Sequence, residues 1–456
     1  MISFLPLLAV FTLTAGLNDS QVLQRDANGA ATALVSGKTD TSGSLHCRVN
    51  DGSWSPLARV KSGDWKARLP PLRTGGPYTV QLKLEDDAGK AVEGKTYREI
   101  YVGDLWVLAG QSNMLGRAKI DEAFNQPDAR VRMLSVDGIW QLAAHPLHEP
   151  TRPGAGPGFE FGKAMARSLN IPIGLLPCAK GGTSMKQWSP TLLSEGSASL
   201  YGNLVLRVRQ AGGKVAGILW YQGENDTGPE PAAVYKQTFQ QFVAKLRADL
   251  ELPNVPFYYA QLARFANRSA KFYEDWQIVR EAQRASEAEI PHARMVATLD
   301  LEQGDHVHLN RESEDRLGRR FALAAQGKAG PRLVDARWTS PNEIRLRLSG
   351  INGTLTAVGV SRLMGFEATT GGEEPRYLIY RTTFDNATSE IVLTTNRDSA
   401  ARPVAEAIDL WYGRGLDPSC NLTDSADLAL PAFGPLRMPP RPPAPPRVPA
   451  ANAKKS

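Results

Sequence analysis

The sequence predicts an α/β protein in which a five-stranded parallel sheet, covered by helices on both faces, is flanked by N- and C-terminal antiparallel β units. Three observations lead there. Residues 105–325 alternate short apolar runs with amphipathic helical segments, whereas the segments on either side show short strand-like runs between Gly and Asp turns and no helical period. At 456 residues the chain exceeds what one hydrophobic core organises, roughly 250–300 residues, so more than one structural unit is expected. Apolar residues make up 42% of it, and its 41 glycines follow no period of three, which excludes disordered and collagen-like classes.

Residues 1–16 (MISFLPLLAVFTLTAG) form one apolar run ending in small residues, followed by polar Asn18, Asp19 and Ser20. A bilayer span takes about 20 apolar residues, so this run reads as a cleaved secretory signal and implies a secreted or periplasmic protein. The run carries no Lys or Arg, and the alternatives are a buried first strand or an interfacial anchor. No later stretch is a transmembrane candidate. Residues 17–102 contain TALVSG, SLHCRV and YTVQLKLEDDAGK, punctuated by Asp51-Gly52 and Ser62-Gly63-Asp64, and predict a β-sandwich-like domain.

The central region, 103–330, yields strands at 105–110, 171–177, 215–222, 255–262 and 294–299, and helices at 159–169, 200–211, 232–249, 274–288 and 311–325. Strand and helix alternating in this way implies a parallel sheet with helices on both faces. From 331 to 438, IRLRLSG, TLTAVGV, RYLIY and EIVLTT again read as short strands between turns and predict a C-terminal β domain. Residues 439–456 are Pro-rich, lack core-forming side chains, and should be an extended or disordered tail.

Composition narrows the function. The net charge of +6 comes from scattered Lys and Arg, which describes a solvated surface and gives no reason to expect nucleic acid. Cys47, Cys178 and Cys420 lie far apart without C-x-x-C spacing and make neither a zinc site nor a disulfide framework.

In an open parallel sheet ligands bind beyond the carboxyl ends of the strands. The first strand is followed by Gly110-Gln111-Ser112-Asn113-Met114, the second by Gly181-Gly182-Thr183-Ser184, the third by Gln222-Gly223-Glu224-Asn225-Asp226 and the fifth by Asp305-His306-Val307-His308. Together these groups supply acyl transfer. A serine hydroxyl needs a base, and Ser112 at a strand-to-helix turn can project Oγ while its own N–H faces an oxyanion. His308 titrates in the right range to be that base, and Asp305 can fix its tautomer. Gly182 permits close backbone approach and can give a second N–H; the amide of Gln222 or Asn225 can give a third donor. Taken singly, Glu224 and Asp226 also fit a solvated loop. Of the nearby aromatics, Trp220 reads as core, whereas Trp188 can stack on a sugar ring. Arg117 and Arg264 follow strand ends and read as surface or structural arginines.

G-Q-S-N-M after Leu105-Trp106-Val107-Leu108-Ala109, G-G-T-S with Trp188, W-Y-Q-G-E at 220–224 and D-x-x-H at 305–308 together resemble the sialate O-acetylesterase branch of the SGNH hydrolases. Val22-Leu23-Gln24-Arg25-Asp26 and Tyr412-Gly413-Arg414-Gly415 with Asn421-Leu422 resemble that family's outer β segments. The resemblance implies a flavodoxin-like three-layer α/β/α catalytic domain and a serine esterase that removes O-acetyl groups from carbohydrates through an acetyl-enzyme, without metal or organic cofactor. It implies Ser112 as nucleophile, His308 as base and Asp305 as its partner. It favours Gln222 over Asn225 as the third oxyanion donor, and Gln111, Asn113, Trp188 and Glu224 are assigned to the substrate. Acetylxylan or another polysaccharide is the alternative substrate.

Two other readings compete. A metal-dependent hydrolase could use Asp305, His306 and His308 with His145, His148 and Glu149, but it leaves Ser112 without a role and lacks an H-E-x-x-H helix. A non-catalytic carbohydrate-binding protein with a degenerate hydrolase core is opposed by the intact Ser112, Asp305 and His308.

Overall fold

The computed structural model describes residues 11–148, 151, 153–266, 272–370, 379–395 and 407–440. Most of the apolar N-terminal run (1–10), Glu149 and residues 441–456 of the Pro-rich tail therefore lie outside the described residues.

The chain is a mixed α/β protein built around one long strand. This strand, β1 (Ala91–Gly110), is half-solvated as far as Glu99 and wholly buried from Ile100 onward. Its first half pairs antiparallel with Gly75–Asp86, and the register shifts between Tyr97 and Ile100, where Glu99 takes a left-handed φ of 55°. That bulge re-aims the strand. Its second half then enters a parallel environment whose strands are covered on both faces and read as continuous apolar runs.

The elements that follow are α1 (Ser112–Leu115), β2 (Val131–Leu134), β3 (Trp140–Leu142), α2 (Pro157–Leu169), β4 (Ile173–Pro177) and α3 (Leu200–Gln210). After them come β5 (Gly217–Tyr221), α4 (Pro229–Asp249), β6 (Phe257–Ala260), α5 (Tyr273–Glu289), β7 (Ala293–Val296) and α6 (Arg311–Ala325). The sheet runs β3-β2-β4-β1-β5-β6-β7. All neighbours are parallel except β3, which pairs antiparallel with β2 at the edge. The expected count of five strands is corrected by β2 and β3: VRML and WQL are too short to display a period.

Side-chain contacts assign the helices to faces. Trp106 of β1 meets Phe161 of α2 and Tyr258 of β6, whereas Trp220 of β5 meets Phe242 of α4, which in turn touches Tyr201 of α3. The Tyr259 hydroxyl donates to the Gln283 carbonyl of α5 on that second face. Adjacent strand positions point to opposite sides, so helices cover both. All five residues of β4 and of β5 are buried.

Of the N-terminal run, the described residues 11–15 form a strand in which Phe11 alone is buried. Phe11–Ala15 pairs antiparallel with Leu34–Thr39, and Phe11 is enclosed and stacks on Trp65 at 5.3 Å. The C-terminal unit contains a four-stranded antiparallel sheet (332–340, 343–349, 390–395 and 379–385) and smaller antiparallel sheets around its own apolar cluster. Among the described residues no helix is long and apolar enough to cross a membrane.

Candidate active site

The site begins with a glycine. Gly110 ends β1 with φ +127°, and a Cβ there would lie 2.1 Å from the Tyr221 carbonyl oxygen of β5, so only glycine fits. The chain turns sharply, the Gln111 N–H donates to Tyr221 O at 2.7 Å, and α1 starts at Ser112 on the carboxyl edge of the sheet.

His308 arrives from the loop between β7 and α6. Its Nε2 lies 2.9 Å from Ser112 Oγ, and its Nδ1 lies 2.7 Å from Asp305 Oδ2. With Nδ1–H donated to the carboxylate, Nε2 is left to accept from the serine. Asp305 is itself fixed: the main-chain N–H groups of Val307 and His308 both donate to its Oδ1 at 2.8 Å. Partial burial alone would raise the Asp305 carboxyl, but the His308 hydrogen bond and these two N–H groups prevail and hold it down to about 2. The three residues, 196 positions apart at their extremes, form one hydrogen-bonded chain.

The amides sort differently from expectation. Gln222 is fully buried, and its Nε2 faces Gln111 Oε1 (3.2 Å), Thr183 O (3.1 Å) and Asp226 Oδ2 (2.5 Å). Both N–H groups of the expected oxyanion donor thus face protein acceptors, three of them in all. Asn225 is exposed instead; its Nδ2 donates to Gly182 O at 3.2 Å and its Oδ1 accepts from Gln111 Nε2 at 3.3 Å. One of its amide hydrogens has no acceptor among the described residues. Gly182 is also exposed, with φ +69°, and a Cβ there would meet nothing within 4 Å.

Three residues expected at the substrate are turned into the protein. Gln111 is buried and spends its amide on Gln222 and Asn225. Asn113 is fully buried: its Nδ2 donates to Glu224 Oε1 (2.8 Å) and Val307 O (3.3 Å), and its Oδ1 accepts from the Leu309 N–H (3.1 Å). Trp188 is fully buried against Trp220 with ring centroids 5.2 Å apart, and its Nε1 donates to Thr183 Oγ1 at 3.0 Å, so no face is left for a sugar ring. Glu224 is half-buried as a residue, but its Oε2 is out of contact with solvent and has no hydrogen-bond partner among the described residues. Burial pushes its carboxyl up to about 7, against the lowering hydrogen bonds from its own main-chain N–H and from Asn113.

Two further acids are buried, Asp226, which the sequence had allowed to be a solvated loop residue, and Glu314, which the sequence reading missed. Asp226 accepts from the Met185 N–H (2.9 Å) and from Gln222, locking the loop after β4 to the end of β5. Glu314 of α6 is fully buried, neither of its carboxylate oxygens has a partner among the described residues, and burial raises it well above the usual carboxylate range. A polar residue inside a helical pattern gives no sign of which way it points.

The remaining candidates separate cleanly. Arg264 is structural, paired with Glu302 (2.9 Å) and Asp417 (3.0 Å). Arg117 lies beside Ser112: a Cβ built on Gly181 would be 2.7 Å from Arg117 Nη2 and 3.8 Å from Ser112 Cβ. Among the described residues its guanidinium has no hydrogen bond or ion pair. The His306 ring rests near Phe265, and His145 packs edge-on to Phe159 in the interior.

A family model described as carbohydrate esterase, sialic acid-specific acetylesterase, matches residues 102–327. A probable carbohydrate esterase of Arabidopsis thaliana is 33% identical over 245 residues, covering 48% of this chain and 89% of that protein. The sialate O-acetylesterase of Homo sapiens is 24% identical over 266 residues, 47% of this chain, and the chain spans about half, 49%, of that relative's length. The crystal structure of a carbohydrate acetylesterase from Xanthomonas citri superposes with a TM-score of 0.73 over 92% of this chain and 98% of that one. At 23% identity that likeness is one of fold.

Proposed function

Because this chain belongs to the sialic acid-specific acetylesterase family of carbohydrate esterases and is a carboxylic ester hydrolase, we propose that it removes O-acetyl groups from sugar hydroxyls by a Ser112-His308-Asp305 triad on an SGNH-type α/β/α core. The observation that carries this reading is the continuous chain from Ser112 Oγ through His308 Nε2, at 2.9 Å, to Asp305, at 2.7 Å from Nδ1.

His308 takes the Ser112 proton as Oγ attacks the acetyl carbonyl, and Asp305 stabilises the imidazolium. The oxyanion is held by the N–H groups of Ser112 and Gly182 and by the Asn225 amide, the donor set supported by the exposure of Asn225 next to Gly182. His308 then protonates the departing sugar oxygen. Water, activated by His308, hydrolyses the acetyl-serine and restores the enzyme.

An acidic sugar is the better-supported substrate than a neutral polysaccharide such as acetylxylan. The guanidinium of half-buried Arg117, beside Ser112 and without a partner among the described residues, is a receptor for a carboxylate. The test is acetate release from O-acetyl sialic acid, from its methyl ester and from acetylated xylan, with Ser112→Ala as control. Ser112→Ala should lower kcat by about 10⁴-fold or more on every ester, and the free acid should be hydrolysed faster than its methyl ester. Equal rates on acid and methyl ester, with xylan fastest, would transfer the assignment to polysaccharides. Undiminished turnover by Ser112→Ala would remove the triad reading altogether, and no turnover of any ester, p-nitrophenyl acetate included, would favour a carbohydrate-binding role.

A further inference from the structure

The nucleophile and its base come from opposite ends of the central region, and each needs a fixed place to within a fraction of an ångström. Ser112 is held by its turn on β1. His308 sits on a loop outside any helix or strand, closed at its base by the Gln303–Leu309 bridge and by the Gly304 N–H donating to His308 O at 2.8 Å. One amide joins the two. Asn113, the neighbour of Ser112, bonds Val307 O with its Nδ2 and the Leu309 N–H with its Oδ1, and so grips the residues on both sides of His308. Its amide orientation is set in turn by Glu224, whose Oε1 accepts from the same Nδ2 at 2.8 Å.

Stability gives no reason for Glu224 to be there. A carboxylate oxygen withdrawn from solvent without a partner is unfavourable, and among the described residues the only side chain bonded to this carboxylate is Asn113. Resting on the triad reading above, we propose that Glu224 and Asn113 are positioning residues of the hydrolysis, forming a brace from the end of β5 that seats His308 against Ser112.

The experiment is a set of single and double substitutions in the full chain, assayed with p-nitrophenyl acetate for kcat and KM separately, with thermal melts to check folding. Glu224→Gln keeps an oxygen acceptor of the same shape and should hold kcat within about threefold, whereas Glu224→Ala should lower kcat about 100-fold with KM within about twofold, the scale expected of a misplaced catalytic group. Asn113→Asp keeps the volume and the acceptor for Leu309 but loses both donors, and should fall about as far. In the double variant Asn113→Asp/Glu224→Gln the donor and acceptor exchange sides, so at least about tenfold of the lost kcat should return.

Wild-type kcat in Glu224→Ala, or a rise in KM alone, would overturn the brace and return Glu224 to the substrate. If Glu224→Ala does not fold, the absence of rescue in the double variant overturns it equally. Ser112→Ala, run alongside, keeps the two readings apart: if it is active the triad falls and the brace with it, and if it is inactive the brace alone is under test.

Discussion

Gln222 and Asn225 carry the same amide three positions apart, and their surroundings differ: one is buried and the other exposed. A donor that must meet a charge appearing on the substrate has to face the cleft with a free N–H; Asn225 is exposed there, and Gln222 is sealed behind it with Thr183, Gln111 and Asp226 as acceptors. Asn225→Ala should therefore lower kcat about 100- to 1000-fold while leaving the melting temperature in place. Gln222→Ala should do the reverse in emphasis, costing about 1–3 kcal/mol of stability by leaving buried acceptors unmet. Kinetics on p-nitrophenyl acetate together with urea melts of both variants decide the matter; a stable Gln222→Ala with collapsed kcat would restore the original assignment. Sequence could not separate the two, because Gln-Gly-Glu and Gly-Glu-Asn-Asp overlap in one stretch and only the path of the chain after β5 decides which amide comes out.

At the scale of elements, the alternation of apolar runs and helical segments was enough to locate β4 to β7 and helices α2 to α6 within a few residues of their observed limits, whereas of β1 it found only the buried end, 105–110, and not its start at Ala91. The loops were less legible. The segment after β4 was expected to offer Trp188 to a sugar ring, yet it folds inward so that Trp188 packs beneath α4, edge-on to Trp220 and Phe242. Asp226 holds it there through the Met185 N–H. Trp188→Ala should accordingly cost about 3–5 kcal/mol, as for a large aromatic cut from a core. The expected signature is a lowered urea midpoint with KM for the acetylated sugar unchanged at temperatures where the variant is folded. A KM rise in a variant of wild-type stability would mean that the ring does reach substrate.

Across the whole molecule, the C-terminal β unit is bolted to the hydrolase core close to the loop that carries Asp305 and His308. Leu299, just beyond β7, belongs to the C-terminal apolar cluster, while Gln261 exchanges hydrogen bonds with both the N–H and the carbonyl of Ala432. Arg280 of α5 reaches the carbonyls of Gly415 (2.6 Å) and Leu416 (3.3 Å). Arg320 of α6, almost wholly enclosed, is neutralised by Asp300 at 2.6 Å and by Asp427 at 3.2 Å. Breaking one side of such a buried pair leaves a stranded charge. Asp300→Ala is therefore expected to cost about 3–5 kcal/mol, read as a lowered melting temperature. Because Asp300 lies between β7 and the Asp305-His308 pair, kcat should fall together with the loss of fold. A variant that melts at the wild-type temperature would show that the junction is not a stabilising one.

By itself the sequence determined what recurs locally: the strand and helix periods, the punctuation between units, and the residue types gathered at the strand ends, from which Ser112, Asp305 and His308 could be named together. These are properties of neighbours along the chain, and a period or a motif records them directly. Only the tertiary structure decided which side chains face the cleft and which face inward, as for Gln111, Asn113, Trp188 and Gln222, and that one amide grips both flanks of His308. Whether a group is buried or exposed, bonded or free, depends on segments far away in the chain, and no short stretch of sequence contains that information.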